Sequence, residues 1–440
     1  PLITTMINLA LPTIGAEFGI SEHDRQWLVI MFFLSSVAFL VPMSRLSDLY
    51  GKRKMFILGI IIILAASSLS AFADSFSLLL FWRLVTGVGA ACISSASISM
   101  IVQVYPKLHR GFPLAINTMC IYIGASLGPS LGGFLTESFG WESTFLVMVP
   151  VSICALVPLL MFKMDFRTSE GEPFDIKGTV LYGTGVVAAM YGIVTLPNTL
   201  SLMFIAAGAI LLTAFFKFEQ RTEYPVLKVS LFKERVFRRA VLSTLLNYGA
   251  SYAVILTMSM YLQGVGGLSP GQAGLIILMQ PVIQTIVTPF AGRMSDRINP
   301  RKLTTTGMLM ICIGTILMIT ITEEVIMLKV YLTLIFIGLG YALFSAPNTN
   351  LIMGSVSAKS YSESSGLISV MRQVGMMTSV AILMCMISLF MGTGSIIADD
   401  IPAFIKTVRI AFSICFVLAV IGTYMAWAAK DRPSENVVSG

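Results

Sequence analysis

The chain of 440 residues is 56% hydrophobic and only 12% charged, which excludes an ordinary soluble domain. Apolar stretches of about 20 residues recur along its whole length, and such stretches are long enough to cross a bilayer as helices. The net charge of +7 does not indicate a nucleic-acid partner, because the basic residues lie in short loops between the apolar runs.

The apolar runs predict an all-α polytopic membrane protein with fourteen transmembrane helices. Charged residues and Gly/Pro breaks separate the runs, which are continuous and do not alternate as the strands of a membrane barrel do. In chain order the helices are expected at approximately 1–17, 26–43, 54–73, 78–104, 111–135, 143–163, 177–196, 199–216, 239–262, 271–291, 303–322, 327–353, 364–391 and 404–429. The first run begins at Pro1 without an initiator Met, so we expect further residues before it.

Charged loops predict the orientation of the chain in the plasma membrane. Four loops, at 44–54, 105–110, 217–239 and 292–302, are rich in Lys and Arg. They fall on one side if the spans alternate, and the positive-inside rule places that side, with both termini, in the cytoplasm. The loops on the opposite side carry acidic residues: Glu17, Glu22, Asp24, Asp74, Glu137, Glu142, Glu323, Glu324, Asp399 and Asp400.

Two of the charged loops repeat one another. SRLSDLYGKRK at 44–54 returns as GRMSDRINPRK at 292–302, with Asp48 and Asp296 at the same place and 248 residues apart. Six spans with their loops need only about 180–200 residues. The excess predicts two extra helices within 177–216.

The predicted organisation is therefore six, two and six helices. An N-terminal six-helix bundle is expected over 1–163, and a linker region with the two extra helices and a cytoplasmic loop over 164–238. A second six-helix bundle with a short cytoplasmic tail is expected over 239–440. Many secondary transporters built from parallel repeats place the substrate site between the two halves.

Three motifs resemble those of the major facilitator superfamily. SRLSDLYGKRK resembles the loop between its helices 2 and 3, FWRLVTGVGAA at 81–91 its helix-4 motif, and GASLGPSLGG at 124–133 the helix-5 motif associated with antiporters. Three further pieces are similar to its fourteen-span drug/proton antiporter branch: NLALPTI at 8–14, YLQGVGGLSPGQAG at 261–274 and MRQVG at 371–375. The resemblance implies a major facilitator fold in which two bundles alternate access to a central cavity.

The chain departs from that branch at two positions. Where the first helix of the branch usually carries Asp, this chain has Ile3, and where the branch often has Trp-Arg after helix 5, this chain has Trp141-Glu142. No Asp or Glu falls near the centre of any predicted span. Proton coupling and cation binding commonly use a membrane-embedded carboxylate, so the mechanism of a cationic-drug pump does not transfer directly.

A gating role in transport is predicted for Asp48, together with Gly51 and Arg53, and for its counterpart Asp296. A solvated cytoplasmic loop is the alternative, and it explains the basic residues but not an Asp repeated in both halves. An Asp near a helix terminus can bind an Arg or the free N–H groups of a neighbouring helix, and such contacts break when bundles rock.

Arg83 and Arg372 lie inside predicted spans, where a charge is energetically costly. Arg83 is about five residues into the fourth span, and the equivalent position in the second half is Leu334. An architectural charge should recur in the repeat, so we predict coupling or substrate binding for Arg83 rather than snorkelling to an interface. For Arg372, in SVMRQVG, a structural role and a coupling role are equally compatible with the sequence.

Small and polar residues complete the predicted site. A stripe of small residues with a Pro kink is expected to pack closely and to let the halves slide: Gly124, Gly128, Pro129, Gly132 and Gly133. Amide and phenol groups inside apolar spans are predicted to line the substrate cavity, the alternative being that they bridge helices: Asn8, Asn247, Tyr248, Tyr252, Gln280, Gln284, Asn348 and Asn350.

These features predict a secondary transporter that exports a hydrophobic or amphiphilic small molecule by alternating access, in exchange for protons, as a monomer in the lipid bilayer. An exporter or facilitator of a neutral or anionic metabolite is the alternative, which suits Arg83 and the missing Asp. A non-transporting receptor or scaffold is a remote alternative, since no sizeable soluble domain is present. The sequence has no phosphate-binding loop, metal-ligand cluster or nucleophile constellation, so no ATP-driven pump, enzyme, metal or cofactor is expected.

Overall fold

The computed structural model describes residues 2–161, 165–392 and 400–430, and within these ranges it contains helices and no strands. Of the predicted acidic loop residues, Asp399 lies outside the described residues. The α-helices in chain order are α1 (Leu2–Phe18), α2 (Glu22–Arg25), α3 (Trp27–Tyr50), α4 (Lys52–Ser70), α5 (Phe76–Val104), α6 (Gly111–Phe139), α7 (Glu142–Leu146), α8 (Met148–Met161), α9 (Ile176–Val194), α10 (Thr199–Glu219), α11 (Arg235–Ser251), α12 (Ala253–Gly264), α13 (Pro270–Ile277), α14 (Met279–Arg297), α15 (Pro300–Ile319), α16 (Met327–Gly354), α17 (Tyr361–Phe390) and α18 (Ile401–Ala428). Short 3-10 helices occupy Lys107–His109, Val229–Lys233 and Ala358–Ser360.

The two repeated charged loops are tight connections between consecutive helices. Gly51 has a φ of 110°, where a side chain would be strained, and it ends α3 and begins α4. In the second copy, the Asn299 side chain accepts a hydrogen bond from the Arg301 N–H at the start of α15, and Pro300 occupies the first turn. Each loop predicted from its charge is therefore reduced to one or two residues between helices.

Twelve stretches of helix within the described ranges are long and apolar enough to cross a membrane. They confirm an all-helical protein with many membrane spans. The first and seventh of the fourteen predicted spans are not among the twelve. They correspond to α1, which has 17 residues, and to α9, which has 19 residues and several glycines and polar residues that lower its hydropathy.

The chain folds into two compact units, each made of three segments. Unit 1 consists of Pro1–Val104, Asn117–Lys228 and Ala358–Gln373, and unit 2 of Tyr105–Ile116, Val229–Ser357 and Val374–Gly440. Unit 1 therefore includes most of the predicted N-terminal bundle, the two extra helices and the beginning of α17. Unit 2 includes most of the predicted C-terminal bundle and the beginning of α6.

The sequence repeat is also a repeat of helix packing. In unit 1, α4 and α5 meet at Gly59 and Gly89, where a Cβ on Gly89 would lie 3.0 Å from the Gly59 carbonyl oxygen. In unit 2, α15 and α16 meet at Gly307 and Gly340, where a Cβ on Gly340 would lie 3.0 Å from the Gly307 carbonyl oxygen. Glycine allows this close approach of two helix backbones. The Gly-x-Gly motifs, Gly87-Val-Gly89 in α5 and Gly338-Leu-Gly340 in α16, therefore make the same contact in both halves.

The two extra helices are fixed to the first half of the chain. Helices α9 and α10 pack against each other, and α9 also packs against α3. The buried Tyr182 hydroxyl on α9 donates a hydrogen bond to the Val37 carbonyl oxygen on α3 at 2.9 Å. A polar group buried in an apolar helix needs such a partner, so this bond sets where α9 lies in unit 1.

Candidate functional site

Asp48 lies in the last turn of α3 and is completely buried. The Lys52 ammonium, on the other side of Gly51, lies 3.0 Å from Asp48 Oδ1. The same oxygen accepts hydrogen bonds from the Thr168 hydroxyl at 2.6 Å and the Ser362 hydroxyl at 2.7 Å. Asp48 Oδ2 is buried without a hydrogen-bond partner in the described part of the chain. The buried charge therefore depends on a few contacts to one oxygen, and losing one of them is destabilising.

Residues 165–175, between α8 and α9, lie across this turn. The N–H groups of Thr168 and Ser169 both donate to the Asp48 carbonyl oxygen at 3.2 Å. Arg45, only 1% exposed, pairs with Glu172 at 2.6 Å and donates to the Ser169 hydroxyl at 3.1 Å. The hydrogen bond from Arg45 lowers the pKa of Glu172. Arg45 is thus a buried structural contact, and the alternative of a solvated basic loop does not hold for it.

Arg53 holds the start of α4 against the end of α8, and Gly51 leaves room for the Asp165 carboxylate beside them. Arg53 donates from Nε to the Leu159 carbonyl and from Nη2 to the Leu160 carbonyl, both at 3.0 Å, and so binds free carbonyl groups at the end of α8. Asp165 Oδ1 accepts the Arg53 N–H at 3.1 Å at the start of α4. A Cβ on Gly51 would lie 2.6 Å from Asp165 Cγ. The Asp165 carboxylate therefore fills the space that a side chain at position 51 would need.

Asp296, at the end of α14 in unit 2, caps the start of α6. Its Oδ1 accepts the Gly111 N–H at 2.8 Å, and its Oδ2 accepts the Phe112 N–H at 3.2 Å. These N–H groups have no partner inside their own helix, and a negative charge beside them is favourable. Arg293, one turn earlier on α14, lies over the Phe112 ring at 4.3 Å. Asp296 is thus satisfied at both oxygens, unlike Asp48.

The two aspartates make equivalent contacts in the repeat. Asp48 contacts the first turn of α17, and Asp296 contacts the first turn of α6. Helices α6 and α17 are counterparts, because each follows a Gly-x-Gly helix and a short 3-10 turn. Each repeated Asp therefore lies against the start of the same helix in the repeat, Asp48 through a side-chain hydroxyl and Asp296 through backbone N–H groups.

Glu363, next to Ser362 on α17, is a buried acid that was not among the predicted site residues. Its side chain is fully buried, and the Lys228 ammonium lies 3.0 Å away, although it is not aligned to hydrogen-bond with either carboxylate oxygen. Gly366, one turn later, approaches Ser44, since a Cβ there would lie 3.1 Å from the Ser44 Cβ. The available sequence signal was the run of polar residues, Tyr-Ser-Glu-Ser-Ser, at the head of an apolar helix.

Arg83 lies in α5 of unit 1 and is fully buried. Its Nε donates to the Leu28 carbonyl oxygen at 2.9 Å, and its guanidinium carbon lies 5.0 Å from the centre of the Phe32 ring. Its Nη1 and Nη2 have no hydrogen-bond partner among the described residues. A buried cation without a counter-charge is unfavourable. Its free N–H groups can bind an anionic or acceptor group.

The stripe of small residues on α6 brings its backbone against α1. A Cβ on Gly132 would lie 2.5 Å from the Met6 carbonyl oxygen and 2.8 Å from the Met6 Cα. A Cβ on Gly128 would lie 3.2 Å from the Leu2 carbonyl oxygen. The Met6 contacts are with backbone atoms, which cannot move aside as a flexible side chain can, and a Cβ on Gly128 would also lie 2.7 Å from the Thr5 Cβ, which is attached directly to the backbone. Both positions therefore require a residue without a Cβ.

The other members of the stripe have more room. A Cβ on Gly124 would make an ordinary contact of 3.5 Å with the Leu2 nitrogen. A Cβ on Gly133 would meet only the Leu9 Cδ1 atom, at 3.3 Å. Pro129 lies inside α6, where it removes one helical hydrogen bond. Close packing in this stripe is therefore concentrated at two of its glycines.

Two of the predicted cavity amides connect helices in unit 2. Asn348 Nδ2 on α16 donates to the Ala240 carbonyl at 3.0 Å and to the Thr244 hydroxyl at 2.9 Å, both on α11. Asn247 Nδ2 on α11 lies 3.1 Å from the Met308 sulfur on α15. In both residues the amide oxygen is buried without a partner in the described part of the chain. Each amide therefore bridges helices through its nitrogen and leaves an acceptor unused.

A third amide, Asn350, joins α16 to two other parts of unit 2. Its Oδ1 accepts a hydrogen bond from Arg110 Nε at 2.7 Å, and its Nδ2 donates to the Ser295 hydroxyl at 3.1 Å. Arg110 Nη2 also donates to the Asn350 carbonyl at 3.1 Å. This site lies next to Asp296, so Asn350 supports the capped start of α6.

The remaining predicted cavity residues of unit 2 are aromatic or amide groups on α11, α14 and neighbouring turns. The Tyr248 ring lies 5.2 Å from the Tyr341 ring and is buried. Tyr252 is half-buried, and Gln280 and Gln284 are buried. The Gln280 Oε1 atom has no hydrogen-bond partner among the described residues. These groups provide polar contacts and ring surfaces within an otherwise apolar unit.

Asn8 and Arg372 complete the predicted site. Asn8 is exposed on α1, and Arg372 is half-buried on α17. Gln373, next to Arg372, is buried and donates to the Ser36 hydroxyl at 3.1 Å. Gln373 thus ties this part of α17 to α3 within unit 1.

A profile of the Major Facilitator Superfamily matches the chain over residues 1–379 and 240–439. Multidrug resistance protein Stp of Mycobacterium tuberculosis is 28% identical over 384 residues, which cover 86% of this chain and 71% of Stp. Riboflavin transporter RibZ of Clostridioides difficile is 27% identical over 353 residues, which cover 80% of this chain and 77% of RibZ.

Among solved structures, the proton:xylose symporter XylE bound to 6-bromo-6-deoxy-D-glucose matches with a TM-score of 0.70 at 14% identity. The match covers 97% of this chain and 92% of XylE, so the two proteins share a fold. The all-helical fold, the repeat and the profile match agree. The chain belongs to the Major Facilitator Superfamily, whose members are membrane transporters of small molecules.

Proposed function

We propose that this transporter exports a hydrophobic or amphiphilic small molecule across the plasma membrane by alternating access, in exchange for protons. The observation that carries the proposal is the pair of equivalent contacts, Asp48 with the start of α17 and Asp296 with the start of α6. A carboxylate bound to the first turn of a helix can be released without unfolding that helix. The relative Stp, whose name describes multidrug resistance, supports an export function.

The proposed topology has fourteen spans in a six, two and six arrangement, as in the drug/proton antiporter branch. It adds α1 and α9 to the twelve longer stretches, and the 17 residues of α1 reach the lower limit for a span. The N-terminal bundle would cover 1–163, the linker with the extra helices 164–238, and the C-terminal bundle 239–440. Both termini would lie in the cytoplasm, and the protein would act as a monomer.

The proposed substrate cavity is apolar with a few polar contacts. Its lining would include the aromatic and amide residues named above, several of which have an unused acceptor: Asn8, Asn247, Tyr248, Tyr252, Gln280, Gln284, Asn348 and Asn350. Coupling would use Asp48, Asp296 and Arg83, with Arg372 as a further candidate. Met-rich and apolar walls adapt to many ligands, which suits the export of compounds of varied shape.

A neutral or anionic metabolite is the second candidate substrate class. The observation that favours it is the fully buried Arg83, whose Nη1 and Nη2 have no partner among the described residues. A cationic drug would be repelled there, whereas an anionic group would be bound. The relative RibZ, named as a riboflavin transporter, is compatible with this candidate.

A transport screen in proteoliposomes tests the proposal. The purified protein is reconstituted, and uptake of cationic, neutral and anionic compounds is measured with and without an imposed pH gradient. Proton-coupled export predicts that the gradient raises the flux of at least one amphiphilic compound and that the substrate in turn drives proton movement. Equal flux with and without the gradient contradicts proton exchange and favours a facilitator.

A further inference from the structure

The hairpin of the inserted helices α9 and α10 carries two acidic residues at its open end. Asp175 precedes α9, and its Oδ1 accepts a hydrogen bond from the Gly178 N–H at 2.9 Å. Glu219 is the last residue of α10 and is only 2% exposed, and its Oε2 accepts the Leu227 N–H at 3.1 Å. Each side chain therefore uses one carboxyl oxygen to hold nearby backbone.

The other two carboxyl oxygens face each other. Asp175 Oδ2 and Glu219 Oε1 are both buried without a hydrogen-bond donor in the described part of the chain. Both crowd the position that a Cβ on Gly178 would take, so the two oxygens lie close together. Two carboxylates in contact repel each other, whereas a carboxyl group and a carboxylate form a hydrogen bond through one proton.

The surrounding charges do not supply a cation in place of that proton. Helix α9 packs against α10 and α3. The buried charges of these and the adjoining elements already have partners: Lys228 with Glu363, Arg45 with Glu172, and Lys52 with Asp48. The other charged side chains near the open end are exposed and form no ion pair with either acid in the described part of the chain: Lys177, Lys217, Arg221 and Glu223.

We propose that Asp175 and Glu219 form a proton-binding site on the inserted helices, in which the two carboxyl groups share one proton. The site is separate from both repeated Asp contacts and from Arg83. Its ligand is a proton rather than a metal ion, because the remaining oxygen of each acid is already committed to a backbone N–H group.

The proposed proton also bears on the start of α17. Glu219 holds the N–H of Leu227, and the next residue, Lys228, reaches Glu363 at 3.0 Å. Glu363 is the neighbour of Ser362, which donates to Asp48. Loss of the proton leaves two carboxylates in contact, and their repulsion separates the ends of α9 and α10. The segment that places Lys228 next to Glu363 on α17 then loses the hydrogen bond between the Leu227 N–H and Glu219.

The direct test is infrared spectroscopy of the full-length protein in detergent. At neutral pH we expect a carboxylic-acid C=O band that shifts in heavy water and is lost in both Glu219→Gln and Asp175→Asn. In each variant an amide N–H replaces the shared proton and the other carboxylate remains charged, so the hairpin keeps its hydrogen bond. Glu223→Gln, an exposed acid on the same loop, is the control and should keep the band. Absence of the band from the wild-type protein overturns the proposal.

Thermal unfolding as a function of pH is the second measurement. The folded protein binds one more proton than the unfolded chain above the ordinary carboxyl pKa of about 4. The unfolding midpoint of the wild-type protein should therefore fall as the pH rises from about 5 to about 7, and both amide variants should flatten this fall while Glu223→Gln does not. Equal slopes in all four proteins overturn the proposal. A second outcome also overturns it: at high pH, MgCl2 or CaCl2 raises the unfolding midpoint of the wild-type protein but not that of Glu219→Gln. The site would then bind a metal ion.

Discussion

The Ser362 hydroxyl donates a hydrogen bond of 2.7 Å to Asp48 Oδ1 across 314 residues of sequence. It joins the last turn of α3 to the first turn of α17. The same oxygen is bound by Lys52, four residues along the chain, and by Thr168, in the segment before α9. Of the three side chains that hold this oxygen, Ser362 alone comes from the second half of the chain. Its loss should therefore loosen the start of α17, which Glu363 and Gln373 also hold in unit 1.

We expect Ser362→Ala to loosen the start of α17 without unfolding the protein. A hydrogen bond to a charged group contributes about 1.5–3 kcal/mol, which corresponds to at least roughly a tenfold increase in local opening. Hydrogen exchange of the first turns of α17, followed by mass spectrometry, measures this change. Ser364→Ala is the matched control, because Ser364 is buried in the same turn and its hydroxyl has no partner in the described part of the chain. A similar increase in Ser364→Ala would show that the Asp48 contact is not the cause.

Asp296→Ala should destabilise the folded protein by removing the cap of α6. Loss of an N-terminal cap costs about 0.5–2 kcal/mol, and here two N–H groups lose their acceptor. Asp296→Asn retains one acceptor oxygen and should fall between the wild type and Asp296→Ala. The unfolding midpoint in detergent measures the order. Asp74→Ala, at an exposed acid before α5, should leave the midpoint nearly unchanged, and a drop equal to that of Asp296→Ala would contradict the capping role.

Gly132→Ala and Gly133→Ala should differ in effect although the residues are adjacent. The added Cβ at position 132 would lie 2.5 Å from the Met6 carbonyl oxygen, whereas at position 133 it meets the flexible end of Leu9 at 3.3 Å. Overpacking against backbone costs about 1–3 kcal/mol, and we expect less than about 0.5 kcal/mol at position 133. Unfolding midpoints of the two variants measure the difference. If the two midpoints are equal, α1 does not lie on this stripe as described.

Arg83→Met should abolish transport while leaving stability unchanged or higher. A buried charge without a counter-charge opposes folding, and Met fills much of the same volume with an apolar side chain. The readouts are flux in proteoliposomes and the unfolding midpoint in detergent. Arg409→Met is a useful contrast, since Arg409 donates from Nε and Nη2 to the Ile321 carbonyl oxygen and its loss should lower the midpoint. Normal flux in Arg83→Met would remove Arg83 from the coupling residues.

The helices and the repeat could be predicted because their signals are local. Apolar runs set the spans, and the paired loops with Asp48 and Asp296 identified two equivalent residues before any contact was known. The fourteen predicted spans differ from the twelve long apolar stretches of the described residues at α1, which is short, and at α9, whose glycines and polar residues reduce its apolar signal. Helix α9 is held in place by its packing against α3 and α10.

Partners at long sequence distance could not be predicted. The burial of Arg45 and Lys52 was missed because the positive-inside rule accounts for basic loop residues without any partner. Arg45 pairs with Glu172, 127 residues away in the segment before α9, whereas Lys52 pairs with Asp48 across the turn at Gly51. For Asn348 the sequence left two possibilities, since the same amide chemistry serves a cavity wall and a bridge between helices.

Directed evolution of the first charged loop should meet an uneven fitness landscape. At position 51 a random library offers nineteen replacements that all require a Cβ where the Asp165 carboxylate already lies, in a backbone conformation that side chains rarely adopt. Lys54, three residues later, is exposed and faces no such restriction. Sequencing of functional clones from such a library should therefore return glycine at position 51 and a broad choice of residues at position 54.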